Sequence, residues 1–416
     1  MRESKTLEFK ETVDSNTFLK TVSAYANYGT GKIVFGIKDN GDIVGIDDLK
    51  QAVLNLENKI NDSIDPNPDY TFEIDQKTSI ITLTVKEGLH KPYFYKSKAY
   101  RRNDSATIEV DRLELSRLIL EGTNQGYEDL PAIDQNLTFT ILEEKLKEKM
   151  NIESLSKDVL KTLQLYDDQN GYNKAAELLA DKNGFMGIDI ARFGDDINTF
   201  LDRETFDNCS ILKMYDEAVK VYRRVYQYEK IEGVSRNRYE LIPEEAYRET
   251  IANALLHRTW DVKTHITVSM YDERIEVVSL GGLPKSLSEE EFFKGGVSVL
   301  RNPIIGNVMF RLQMIERFGT GIRRISESYK GSEKKPIFET RENSIRVMLP
   351  LFEEKTDLPE DEKLVYRLLK GKLMSSSEIV SSSGFGKTKT VKILNTLVEK
   401  GYVRTEGTGR ARKYTA

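Results

Sequence analysis

Cysteine is nearly absent. Cys209 is the only one in 416 residues, which excludes a disulfide framework and any thiolate metal cluster within one chain. Histidine is almost as scarce, and His90, His257 and His265 are too few and too scattered for a His-rich zinc site. No apolar run reaches the ~18 residues that a spanning helix needs. The charged start MRESKTLEFK has no apolar core of the signal-peptide kind. The expectation is a cytoplasmic protein with no membrane partner. A basic excess is missing too. The formal net charge of −5 excludes a uniformly basic nucleic-acid binder, so cations that serve such a role must be local. Biased tracts are absent, and 39% hydrophobic residues supply the cores of two to four domains.

What is present begins with a compact α+β pattern. A helix is predicted at 18–28 (FLKTVSAYANY), broken by Gly29 and Gly31, and a buried strand at 32–37 (KIVFGI). KDNGD at 38–42 reads as a hairpin turn around Asn-Gly. A helix over 49–64 ends at DPNPD, where two prolines forbid continuation. Strands at 70–74 and 79–85 and a helix at 111–121 close the unit near residue 123. Within it, 90–102 (HKPYFYKSKAYRR) interleaves Lys91, Lys96, Lys98, Arg101 and Arg102 with Tyr93, Phe94, Tyr95 and Tyr100. Cations with aromatics suit a phosphate backbone and unstacked bases. A hairpin with core aromatics and solvated lysines has the same pattern, and the sequence alone leaves both readings open.

Farther on, 247–261 (YRETIANALLHRTWD) is the stretch around which the middle of the chain is organised. Glu249, Asn253 and His257 recur at spacings of four and eight, on one helical face, while Ile251, Ala252, Leu255 and Leu256 can pack inward. Such a helix is the wall of a site or a helix with a solvated polar stripe. Two glycine turns follow, in 275–284 (IEVVSLGGLP) and 317–325 (RFGTGIRRI), and glycine allows close backbone approach to a ligand. A hairpin is predicted from 266–271 and 274–279, helices at 304–310 and 314–329, and a strand at 344–349. Residues 353–362 (EEKTDLPEDE) read as an acidic linker.

The last stretch is distinct. Helices are predicted at 362–371, at 375–383 behind a serine cap, and at 387–400, followed by strands at 402–405 and 412–414 around a Gly-Thr-Gly-Arg tip. From 384 to 416 there are eight Lys/Arg against two acids, Glu399 and Glu406, a local +6 in an acidic chain. GFGKT at 384–388 is not a phosphate-binding P-loop, since Ser381 stands where its first glycine belongs. That argues against helicase action.

Three parts of the chain resemble known families. Glu3, Glu8, Phe9 and Lys10, followed by SAYANYGTGKIVFGIKDNGDIVGI at 23–46, resemble the Schlafen AlbA-like domain over roughly residues 1–120. That likeness implies nucleic-acid binding. In some members two glutamates and an aspartate cut RNA with a divalent metal, and Glu3, Glu8 and Asp39 would be the trio here. The segments 247–257, 274–284, 301–307 (RNPIIGN) and 317–325 together resemble a module labelled as RecG helicase C-terminal-like, a distant relative of the GHKL ATPases. The likeness implies ATP and Mg²⁺. Glu249 would orient a water and Asn253 would hold Mg²⁺; Gly281 and Gly282 would turn beside the nucleotide, and Gly319, Thr320 and Gly321 would approach the phosphates. GHKL ATPases also carry an Asp before the first glycine turn that reads the adenine amino group, whereas here no acid lies nearer than Glu276. The C-terminal order resembles a winged helix-turn-helix. DNA contacts would then fall to Lys387, Thr388, Lys389, Thr390, Lys392, Arg404, Arg410, Arg412 and Lys413.

The expected architecture is an α+β multidomain chain. A Schlafen AlbA-like α+β domain occupies 1–123, a connector and the helical part of the central module 124–240, and a GHKL-like α/β sandwich 241–352. A linker at 353–360 leads to a winged helix-turn-helix at 361–416. The expected function is a bacterial-type DNA-binding transcriptional regulator whose central module binds a nucleotide effector, working as a homo-oligomer on paired half-sites. The alternative is a metal-dependent nuclease or an ATP-dependent nucleic-acid enzyme, for instance in defence, with RNA as a further partner.

Overall fold

A computed structural model describes residues 2–232, 235–284, 287–294, 299–316, 319–353, 358–369, 372–407, 409 and 412–416. The architecture is α+β throughout. The N-terminal unit is built on four strands in the order Leu7–Lys10, Gly31–Phe35, Ile80–Val85, Tyr70–Asp75. The first pair is parallel and the others antiparallel. Helix Phe18–Tyr28 lies against them because Phe18, Leu19, Val22 and Tyr25 recur at helical spacing and meet Ile33, Phe35 and Leu83 in one core. The Asn-Gly turn at 38–42 forms as its residues predict, with Lys38 N–H donating to Asp42 O at 2.9 Å.

The central body is a two-layer sandwich. Its six-stranded sheet runs Phe200–Phe206, Ile188–Phe193, Ile266–Tyr271, Arg274–Leu280, Ser344–Pro350, Ile337–Arg341. Only the second and third strands pair in parallel. One face is covered by helices Ile211–Tyr226 and Glu244–His257, held together by stacked Tyr222 and Tyr247 rings 4.7 Å apart. The other face is polar. Asp189 pairs with Arg203 at 2.7 Å, and Glu276 with Arg274 at 2.6 Å and Arg346 at 2.7 Å. The segment expected as a connector shares this body's core: Leu142, Leu146, Leu160 and Leu178 are buried in the same cluster as Ile251, Val277 and Leu349.

Several elements depart from the sequence expectation. Strands Phe200–Phe206 and Ile337–Arg341 lie at the sheet edges and carry few buried positions, so period-two alternation does not mark them. Helix Ile211–Tyr226 passes directly into the hairpin Gln227–Glu232 with Ser235–Glu240. The stretch 314–329 is not one helix; only Gly321–Ser328 is helical, after a turn in which Gly319 adopts φ +60°.

Residues 360–416 form a separate small core of Val365, Leu369, Ile379, Leu394, Leu397 and Tyr414. Helices Glu360–Leu369, Ser376–Ser383 and Lys387–Glu399 are followed by a hairpin, with strands ordered Met374–Ser375, Lys413–Thr415, Arg404–Glu406. Ser375 and Glu378 make the reciprocal cap foreseen at the second helix.

One buried acid ties the segment behind the N-terminal unit to the central body. Glu128 is fully buried and accepts the Ile304 and Ile305 N–H groups at 2.5 and 3.0 Å. It thereby supplies from a distance the cap that helix Pro303–Arg311 lacks locally. Burial pushes the carboxyl up to about 7, against the two N–H donors. The folded state therefore holds the Glu128 proton across about pH 4.5 to 7 while the unfolded chain has lost it, and this contribution to stability is lost as pH rises through that window. In denaturant titrations of the central body, wild type is expected to lose on the order of 3 kcal/mol relative to Glu128→Gln between pH 4.5 and 8. Parallel pH profiles would contradict the assignment.

Candidate nucleotide site in the central sandwich

The site is built on how helix Glu244–His257 ends. The last carbonyls of a helix have no partners within it. Here each is met by a side chain from elsewhere. Ser279 Oγ donates to Ala254 O at 3.0 Å, Trp260 Nε1 to Leu255 O at 3.2 Å, and Arg301 Nε to His257 O at 3.0 Å. Asn302 Nδ2 donates to both Leu256 O at 2.7 Å and Arg258 O at 2.9 Å. Arg301 also reaches Gly282 O at 2.8 Å, joining the helix end to the glycine turn. Arg258 is itself buried, donating to Met186 O at 2.6 Å and lying over the Trp260 ring. Nothing in the sequence reading assigned Arg301, Asn302 or Arg258 a role; the RNP triplet was a signal without a mechanism.

Between this helix and the inner face of the sheet lies a cavity of about 400 Å³, within the range of small-molecule sites. It gathers Glu249, Asn253, Gly281, Gly282, Gly319, Thr320 and Gly321, all seven predicted positions of the central module, from three separate segments. Arg317 and Phe318 lie outside the described residues. The sheet contributes an apolar floor that includes Val277, Ile345 and Val347.

Polar groups mark the two ends. At one end Asn253 Nδ2 donates to Glu249 Oε1 at 3.2 Å, and the carboxamide oxygen has no partner among the described residues. Gly321 opens the next helix against this pair; a Cβ there would stand 2.5 Å from Glu249 Oε1 and 2.8 Å from Asn253 Nδ2. Burial raises the Glu249 carboxyl above the usual range, opposed by the Arg324 guanidinium and the Asn253 amide. Arg324 also pairs with Glu316, the second acid of the cavity wall, at 3.2 Å. The Glu249 carboxyl is placed to accept a hydrogen bond from a water in the cavity. At the other end His257 lines the cavity, its imidazole held down at about 4 by burial, with Arg301 adding to the effect.

The two glycine turns are explained in part by packing. Gly281 has φ +115°, and a Cβ would meet Thr259 Oγ1 at 2.7 Å and His257 O at 2.9 Å. At Gly282 a Cβ would meet Glu342 O at 2.1 Å. Only glycine lets the chain pass here, whatever the cavity holds. Alternation along Arg274–Leu280 also settles the missing adenine-reading acid. Ser279 points at the helix layer, while Glu276 points to the opposite face and is paired with Arg274 and Arg346. No carboxylate of this strand faces the cavity.

The N-terminal trio does not assemble. Among the described residues no three His, Cys, Asp or Glu side chains gather as metal ligands. Glu8 is buried and engaged by Arg102 at 2.5 Å, Lys10 at 2.8 Å and the Thr21 hydroxyl at 2.5 Å. Glu3 accepts the Phe9 N–H at 2.9 Å, and Asp39 is exposed on the hairpin turn. The basic-aromatic stretch resolves in the same way. Lys91 is buried between Glu87 and Glu121, Lys98 pairs with Glu109 and Arg101 with Glu114, and Tyr93, Tyr95 and Tyr100 are core residues. Most of its cations are internally matched.

In the C-terminal unit Lys387, Thr388 and Lys392 are exposed on the third helix and Arg404, Arg412 and Lys413 on the hairpin. Two expected contacts change. Thr390 is buried, its hydroxyl donating to Gly386 O at 3.2 Å, because it falls on the stripe with Ile393, Leu394 and Leu397. Lys389 pairs with Asp361 at 2.6 Å and lies over the Phe385 ring. Arg410 lies outside the described residues.

Comparison with known proteins adds to this geometry. Residues 3–111 match the family described as Schlafen, AlbA_2. Residues 263–349 match the family described as "Putative ATP-dependent DNA helicase recG C-terminal". The glycine turns fall inside the second match, and Glu249, Asn253 and His257 precede it. The chain therefore carries a Schlafen AlbA_2 domain and a RecG-type ATPase-like domain, a pairing of the nucleic-acid-associated kind. Among solved structures it is similar to the DIP2311 protein from Corynebacterium diphtheriae, at 17% identity and a TM-score of 0.49 over 99% of this chain and 92% of that one. It is also similar to the N-terminal domain of a RecG-related protein from Nitrosomonas europaea, at 26% identity and a TM-score of 0.21 over 27% of this chain and 85% of that one. No curated protein matches the chain. No helix among the described residues is long and apolar enough to cross a membrane.

The enclosed His257 gives a direct test of the site. Its imidazole carbon and nitrogen resonances are expected to stay at their neutral values from pH 8 down to about 5 and to move only near pH 4. A midpoint near the ordinary 6.5 would mean that the ring is solvated and not part of the cavity wall.

Proposed function

We propose that the chain is a DNA-binding transcriptional regulator. In this reading a C-terminal winged helix contacts DNA and the central sandwich binds a nucleotide effector. The observation that carries the DNA half is the clustering of exposed cations on the C-terminal unit, whose residues 384–416 hold eight Lys/Arg against two acids. In the N-terminal and central units Lys91, Arg102, Arg203 and Arg346 are spent on acids. Lys387, Lys392, Arg404 and Arg412 are exposed and meet no acid among the described residues. Lys387, Thr388, Val391 and Lys392 form the outward stripe of the third helix, opposite its buried stripe. A helix with cations at its start can enter a major groove, and a basic hairpin beside it can follow the backbone. Two half-sites read by a homo-oligomer would be the matching arrangement.

The nucleotide half rests on the convergence of the seven positions on one cavity. Asn253 fits the Mg²⁺ that would accompany ATP: its carboxamide oxygen, without a partner among the described residues, is a hard donor, and Gly321 places no side chain against it. A bound Mg²⁺ would offset phosphate charge. Glu249, with its raised carboxyl, would orient a water, and the Gly319–Gly321 backbone would approach the phosphates. The sensor reading requires binding and not turnover. The nuclease alternative is weakened by the engagement of Glu8 and the separation of Asp39.

For the DNA half, Lys387→Ala combined with Lys392→Ala and Arg404→Ala is expected to weaken duplex retention. It should also flatten the log K against log salt slope by about 2 to 3, roughly one per lost phosphate contact. An unchanged slope in a folded variant would remove the C-terminal unit as the reader.

A further inference from the structure

We propose that His257 is the base-facing group of the central cavity, an imidazole standing in for a carboxylate, and that the cavity takes adenine and guanine nucleotides without a strong preference. The inference rests on the nucleotide reading above and specifies its ligand.

Helix geometry orients the ligand. Glu249 and His257 are eight residues apart on one face, about 12 Å along the axis, so they stand at opposite ends of the cavity they both line. The Glu249 end adjoins the Gly319–Gly321 turn, since Gly321 packs on Glu249 and Asn253. That is the end for phosphates and metal. The His257 end adjoins the Gly281 turn, where a Cβ would meet His257 O at 2.9 Å. Beneath it lie Ser279 and its cross-strand neighbour Ile345, a flat floor of the kind a purine ring covers.

The polar side chains that line that end, His257 and Ser279, include no acid, and the Arg301 guanidinium stands behind them. Ser279 has committed its proton to Ala254 O and can only accept, a partner that an N–H of either purine can meet. The His257 ring makes no hydrogen bond to the described residues, so it keeps one donor and one acceptor for a bound molecule. Its position is fixed from behind, because Arg301 holds its carbonyl and Asn302 those on either side. A carboxylate accepts from the adenine amino group and repels the guanine O6. A neutral imidazole can accept from the first or donate to the second, according to tautomer.

Competition calorimetry with ATP–Mg²⁺ and GTP–Mg²⁺ on the full chain tests this. Wild type is expected to bind the two within about threefold of each other. His257→Glu, which restores an acceptor-only group, should shift the ratio at least tenfold toward ATP. His257→Leu should weaken both by about tenfold, with an unchanged melting profile as the check on folding. Wild-type preference for ATP beyond twentyfold, or a ratio unmoved by His257→Glu, would overturn the assignment while leaving nucleotide binding intact. Absence of heat with both nucleotides would instead overturn the nucleotide reading itself, and this inference with it.

Discussion

The central body depends on the way one helix is allowed to stop. Helix Glu244–His257 ends against the sheet where water cannot reach its carbonyls, and unpaired buried carbonyls would cost about 1 to 3 kcal/mol each. Ser279, Trp260, Arg301 and Asn302 meet them instead, from strand Arg274–Leu280, the segment just after the helix and the start of another helix. These bonds also set the distance between helix and sheet, and hence the height of the cavity. The same residues that satisfy the helix therefore shape the site. Glu128 extends the logic by one step, capping from the preceding segment the helix that begins directly after Asn302.

Buried charge in the N-terminal unit is governed by matching. Arg102 and Glu8 are both nearly inaccessible and meet at 2.5 Å, and Lys91 sits between two glutamates. Removing one partner of such a pair leaves an uncompensated charge, costing about 3 to 5 kcal/mol. These residues are thus bound to the fold, which is why a stretch that reads as a nucleic-acid strip is largely a structural one. Exposed cations that meet no acid among the described residues, such as Lys387 and Lys392 on the C-terminal unit, carry no such constraint.

How much of this was legible follows from the kind of signal each part leaves. The spacing of Glu249, Asn253 and His257 announces a polar helix face, and the structure brings that face to the cavity with both glycine turns. The serine cap at Ser375 and the Asn-Gly turn are local chemistry and form as read. Pairing across long separations leaves no local trace. The edge strand Phe200–Phe206 is mostly exposed and so lacks alternation. Thr390 was grouped with its cationic neighbours by sequence, yet helical phase puts it with Ile393 and Leu394 in the core. The roles of Arg301 and Asn302 depend on carbonyls some 45 residues away and could not be read from their own segment.

Among the described residues, the joint between cavity and C-terminal unit includes a set of ion pairs centred on Glu333. Helix Gly321–Ser328 starts at the cavity and runs toward Glu333, which pairs with Lys363 at 2.7 Å and Arg367 at 2.9 Å on the first helix of the terminal unit. Glu353 adds a second contact to Arg367 at 3.3 Å. Partly exposed ion pairs of this kind contribute on the order of 1 kcal/mol each. A ligand shifts such an equilibrium only by its difference in affinity for the two arrangements. In the regulator reading, a ligand that prefers one position of the Gly319–Gly321 turn would act on the terminal unit across this joint. In that reading the ion pairs at Glu333 matter along with the cavity itself.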